Sequence, residues 1–160
     1  KGNEPKNQIS IFIKLTANSL VKDIVNIFDK NNVKVNLIVN NLNNINEYLS
    51  YVKNGHYVLY SGESNKDLKE FKSTLNLKNN YCISINSNST LDNCFKNNFY
   101  VLKTNNIYKD NILYNTKANL EKGEFYVFYE NKNTLEEISA LIKFIKGKNI
   151  DIVNINRLLE

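Results

Sequence analysis

At 160 residues the chain is long enough for one domain with a real core, burying about 70% of its unfolded surface. With 42% hydrophobic and 11% aromatic residues it does not read as a disordered chain, and no apolar run approaches the ~20 residues needed to cross a bilayer. The net charge of +5 suits anionic polymers, membrane surfaces or nucleic acid, but the only arginine is Arg157 and the lysines are dispersed, which argues against a nucleic-acid-binding stripe. Asparagine is the oddity, with 32 residues, a fifth of the chain. AT-rich codon usage accounts for such an excess beside abundant Lys and Ile, and turns and caps tolerate it.

In chain order, residues 1–8 are polar and read as a linker; the start at Lys1, without a methionine, is what trimming behind a signal peptide or anchor would leave. Residues 9–15 (ISIFIKL) are β-branched and apolar, a buried strand. Leu20, Ile24, Ile27 and Phe28 stand at helical spacing, with Asn18 or Ser19 as N-cap. Residues 33–39 form the next strand, 45–52 a helix stopped by Gly55, 56–60 a strand and 68–75 a helix. Strands at 81–85 and 99–103 flank a helical turn at 91–95, and 107–120 reads as loop with some helix. Residues 125–129 are a strongly apolar strand. The clearest helix is 134–146, with Thr134 as cap, an apolar stripe from Leu135 to Ile145 and Gly147 as stop; 150–155 is the last strand. Strands alternating with helices of this length indicate parallel β/α architecture, whose sites lie in the loops at the carboxyl ends of the strands.

Groups able to titrate or ligate are scarce. His56 is the only histidine, so a site needing two imidazoles is excluded; following Gly55 and leading into an apolar run, it reads as structural. No phosphate-cradling glycine motif and no nucleophile elbow occurs. Cys82 and Cys94 have no metal-ligand spacing and are compatible with one disulfide or with two free thiols. The loops after the strands, residues 16–19, 61–65, 86–90 and 130–133, are small, polar and mostly neutral. Such groups hydrogen-bond well but make poor bases and poor metal ligands.

This order of elements resembles the polysaccharide deacetylases of the NodB-homology type. Residues 24–39 (IVNIFDKNNVKVNLIV) are similar to that family's ILDILKKYNVKATFFV segment, and residues 52–56 (VKNGH) to its VKEGH turn, with Asp67-Leu68 downstream. Residues 122–128 (KGEFYVF), then 133–155 and Leu158-Leu159, resemble its closing PGSIILLHD and TLEALPEIIEELKKKGYKFVTLSELL. The resemblance lies in scaffold segments, while the active-site motifs depart from it. No acidic residue lies between Glu4 and Asp23, where the family's TFDDGP supplies a base and a metal-binding aspartate. The two histidines of its metal motif fall on Ser61 and Asn65, its RPPYG loop falls on residues 84–90 without Arg or Pro, and the His-Asp of LLHD falls on Tyr129 and Glu130. A hydroxyl and an amide do not replace two imidazoles around a metal ion, and a phenol is a weak stand-in for an imidazolium acid.

The resemblance implies an α/β fold, an irregular and shortened (β/α) barrel of the polysaccharide deacetylase type, spanning residues 9–160 as a single domain behind the linker 1–8. The implied function is a non-catalytic binding or protein-interaction module at a bacterial cell surface or spore envelope, extracellular, with a cell-wall glycan or a protein as partner. No catalytic residue, metal, cofactor or nucleic acid is expected. Asn18, Ser61, Glu63, Asn65, Asn86, Tyr129 and Glu130 are the candidates for lining the degenerate groove. The alternative is an active N-acetyl-glycan deacetylase or another sugar hydrolase using non-family residues, with Glu63 and Glu130 as a carboxylate pair ~5–10 Å apart and alike in burial.

Overall fold

A computed structural model describes residues 6–85, 92 and 94–160. The strands are β1 (Gln8–Lys14), β2 (Asn36–Val39), β3 (Tyr57–Tyr60), β4 (Tyr81–Ile83), β5 (Tyr100–Leu102), β6 (Ile107–Tyr108), β7 (Phe125–Tyr129) and β8 (Asp151–Ile152). The helices among the described residues are α1 (Val21–Lys30), α2 (Ile45–Lys53), α3 (Asn65–Leu75), α4 (Ile112–Ala118), α5 (Lys132–Gly147) and α6 (Ile155–Leu158). All strand pairings among the described residues are parallel. One sheet runs β3-β2-β1-β7-β6, with β8 beside the start of β1, and β4-β5 form a second. This is the cyclic order of a (β/α) barrel opened at two seams. Edge-on packing of Tyr57 and Tyr81, ring centroids 5.6 Å apart, bridges the seam between β3 and β4.

Side chains on alternate strand positions enter two different apolar layers, as the two-residue period requires. Ile11, Ile13, Leu37, Val39, Val58, Tyr126 and Phe128 face the helices, where Ile24 and Phe28 of α1 and Ile138, Leu141, Ile142 and Ile145 of α5 cover them. Phe12, Ile38, Leu59, Ile83, Leu102 and Val127 face inward and fill the barrel. Ile155 and Leu158 of α6 join this inner layer and plug the amino end. Buried Asn36 fixes that plug: its Nδ2 donates to Ile11 O (2.9 Å) and its Oδ1 accepts from Ile155 N (2.8 Å). The carboxyl ends of the strands are left as the mouth.

Several boundaries differ from the sequence pattern. The stretch 107–120, read as loop with some helix, contains that helix as α4, and also β6, because the edge of β7 pairs two residues that have no periodicity of their own. The last strand has only two residues before Asn154 caps α6 through Arg157 N (3.0 Å). The cap of α5 is Asn131, whose Oδ1 accepts from Thr134 N (2.9 Å), so Thr134 receives the cap. Neither Asn18 nor Ser19 caps α1. The turn expected at 91–95 falls partly outside the described residues. Cys82 and Cys94 form a disulfide that ties β4 to the segment before β5.

The asparagine excess has a conformational use. Asn32, Asn76, Asn98, Asn111 and Asn149 all have φ between 47° and 61°, the left-handed region normally filled by glycine. Asn32, Asn76 and Asn149 do so at or just after the ends of α1, α3 and α5.

Candidate functional site

The mouth is assembled by residues one step beyond the inner layer. Lys14 shares the inward face of β1 with Phe12, and Tyr129, its partner in register, shares that of β7 with Val127. Lys109 follows β6 on the face of Ile107. The half-buried Tyr129 ring is flanked by two ammonium groups: Lys14 Nζ lies 5.5 Å and Lys109 Nζ 5.3 Å from its centroid. Lys109 is positioned by its carbonyl, which accepts from Asn131 Nδ2 (2.7 Å).

Glu130 follows Tyr129 and turns the other way. Its carboxylate is 1% exposed; Oε1 accepts from Thr16 N (2.7 Å) and Oε2 from Leu20 N (2.6 Å). Its carbonyl accepts from Thr16 Oγ1 and Asn18 Nδ2, both at 2.8 Å. The acid therefore supplies the cap that α1 lacks locally and pins the β1–α1 loop, with negative charge at a helix amino end. Beside it lies a polar cleft of about 440 Å³ lined by Thr16, Asn40, Asn44, Tyr48 and Glu130. Burial raises the pKa of Tyr48 above the ordinary tyrosine value, so its hydroxyl stays protonated and available as a donor.

The remaining sequence candidates are spread around the same end. Ser61 is buried just after β3, with its N–H donating to Val39 O (2.7 Å). Gly62 next to it must be glycine, because a Cβ there would sit 2.7 Å from Asn40 O. Glu63 is exposed, and Asn65 begins α3 with its Oδ1 accepting from Asn97 Nδ2 (3.1 Å). Asn86 lies outside the described residues. Glu63 and Glu130 do not form a matched carboxylate pair: one is solvent-exposed, while the other is buried with both oxygens committed to backbone N–H groups. Sequence reasoning missed Lys14, Lys109, Asn40 and Tyr48. The available signal for Lys14 was its place as the sole charge in an otherwise apolar strand.

The donor set does not suit a divalent metal. Among the described residues no three His, Cys, Asp or Glu side chains come together, and the mouth presents ammonium groups where a cation would need anionic or imidazole ligands. His56, far from the mouth, is 2% exposed; its Nδ1 accepts from Val35 N (3.1 Å) and its Nε2 meets Asp29 Oδ1 at 2.7 Å.

No family model and no curated protein sequence matches the chain. Solved structures do. The CE4 family pseudoenzyme BA3943 from Bacillus anthracis superposes with a TM-score of 0.76 at 14% identity, over 98% of this chain and 67% of that one. The peptidoglycan deacetylase PdaC from Bacillus subtilis gives 0.73 at 12% identity, over 98% and 91%. The polysaccharide deacetylase Bc1974 from Bacillus cereus gives 0.68 at 13%, over 93% and 92%. The chain has the fold of the CE4 polysaccharide deacetylases.

Proposed function

We propose that this domain is a non-catalytic relative of the polysaccharide deacetylases that binds a cell-envelope polymer through the carboxyl end of its barrel. The observation that carries this reading is the Lys14–Tyr129–Lys109 cluster, which occupies the mouth with positive charge. Metal-assisted deacetylation needs a polarised carbonyl and an activated water, each normally provided by a bound cation and a base. Lysines at the mouth repel such a cation, and the Glu130 carboxylate that follows Tyr129 is consumed in holding a loop. The amide-rich cleft beside it offers neutral hydrogen-bonding groups of the kind that hold sugars. Similarity of fold to proteins described as peptidoglycan deacetylases supports a glycan as the partner. The Cys82–Cys94 disulfide supports an oxidising location outside the cytoplasm.

The test pairs binding with turnover on the same protein. Purified domain is mixed with insoluble cell-wall polymer and with N-acetylglucosamine oligomers, and both retention on the polymer and acetate release are followed. The expected result is retention without acetate release. Acetate release above a protein-free control contradicts the non-catalytic reading, and absence from the polymer fraction contradicts the binding one.

A further inference from the structure

We infer that the mouth is an anion-binding subsite and that the polymer it takes carries carboxylate or phosphate groups on its sugars. This rests on the envelope-binding reading above and narrows it from glycans in general to acidic ones.

The geometry supports it in three ways. Lys14 Nζ and Lys109 Nζ both lie over one tyrosine ring, so the two charges are no more than about 11 Å apart, a span that one carboxylate or phosphodiester and its sugar can bridge. Neither lysine has an acidic partner among the described residues; the His56–Asp29 contact lies far from the mouth and involves neither. The nearby Glu130 carboxylate already accepts two backbone N–H bonds, leaving it little capacity to hold an ammonium as well. Two like charges within about 11 Å of each other repel, and an anionic ligand that reaches both offsets that repulsion.

A neutral sugar fits less well. Neutral glycans are held largely by stacking on open aromatic faces, whereas the Tyr129 ring is covered by ammonium groups. The exposed side chain of Asn40, beside the same end, supplies a neutral donor that would orient a bound anion. The net charge of +5 favours approach of the same class of polymer.

The experiment is calorimetric titration of the intact domain at low salt with three probes: a neutral N-acetylglucosamine hexamer, an oligogalacturonate of equal length, and a short glycerol-phosphate polymer. The anionic probes separate a carboxylate source from a phosphate source. At least one should bind more tightly than the neutral oligomer and weaken as salt is raised. Lys14→Gln and Lys109→Gln should each weaken that binding by roughly tenfold, the loss expected for one charged hydrogen-bond donor. Lys14→Arg, which keeps the charge, should retain binding and guards against a folding defect at β1. Lys148→Gln, which removes a charge on the far end of α5, should leave binding unchanged. Tighter binding of the neutral oligomer, or equal losses from Lys148→Gln and the mouth variants, overturns the anion subsite while the glycan-binding reading stands. No heat with any probe overturns both.

Discussion

Glu130 accepts from Thr16 N and Leu20 N through its carboxylate and from Thr16 Oγ1 and Asn18 Nδ2 through its carbonyl, which makes one residue at the β7 end responsible for the shape of the β1–α1 loop. Glu130→Gln leaves a buried amide N–H₂ facing a backbone N–H, so we expect a loss of about 2–3 kcal/mol in urea unfolding, with loop amide signals broadened by NMR. His56 makes a prediction of opposite character. Its Nδ1 accepts a backbone hydrogen bond, so the native ring is neutral with the proton on Nε2 facing Asp29. Burial lowers its pKa below the ordinary 6.5, against the opposing pull of Asp29. The unfolded chain therefore binds the proton more readily, and the stabilisation is complete above 6.5 and lost as pH falls towards the depressed native value. Urea unfolding should show stability falling as pH drops below 6.5, with a flatter slope in His56→Gln; stability rising on acidification would contradict the neutral assignment. The structural role of His56 was legible, since an isolated histidine before an apolar run has no catalytic company. The role of Glu130 was not, because its partners lie more than a hundred residues away.

Elements with a complete apolar period were readable from the chain: β1, α1, α2, β7 and α5 all form close to where their patterns place them. Those that the pattern hid are short and depend on neighbours. β6 exists because β7 offers it an edge, and α6 because the inner layer needs a plug that Asn36 can hold. α4, the helix expected somewhere in 107–120, buries Ile112 and Thr116, one helical turn apart. The Thr116 hydroxyl is buried without a hydrogen-bond partner among the described residues, as is that of Thr134 in α5. Thr116→Val keeps the shape and removes an unpaired polar group, so it should raise stability by about 1 kcal/mol in chemical denaturation. An unchanged or lower midpoint would mean that the hydroxyl is satisfied in solution.

At the scale of the molecule, apolar strands alternating with helices were enough to indicate parallel β/α architecture, while the barrel was implied by the resemblance of the scaffold segments to the deacetylases. The charge of the mouth was not visible in the same way. Loop residues drew attention because family motifs end there, while Lys14 lay inside a strand and Lys109 in a stretch without a pattern. Only the register, which puts Lys14 opposite Tyr129 and both above the inner layer, gathers them into one site. A deacetylase-like barrel whose mouth is cationic should hold no divalent metal there. The most direct test is the metal content of the purified domain after incubation with zinc, cobalt or nickel and removal of free ions, read by native mass spectrometry. Apoprotein mass is expected with each metal. One ion held per chain, and lost on substitution of residues at the mouth, would contradict it.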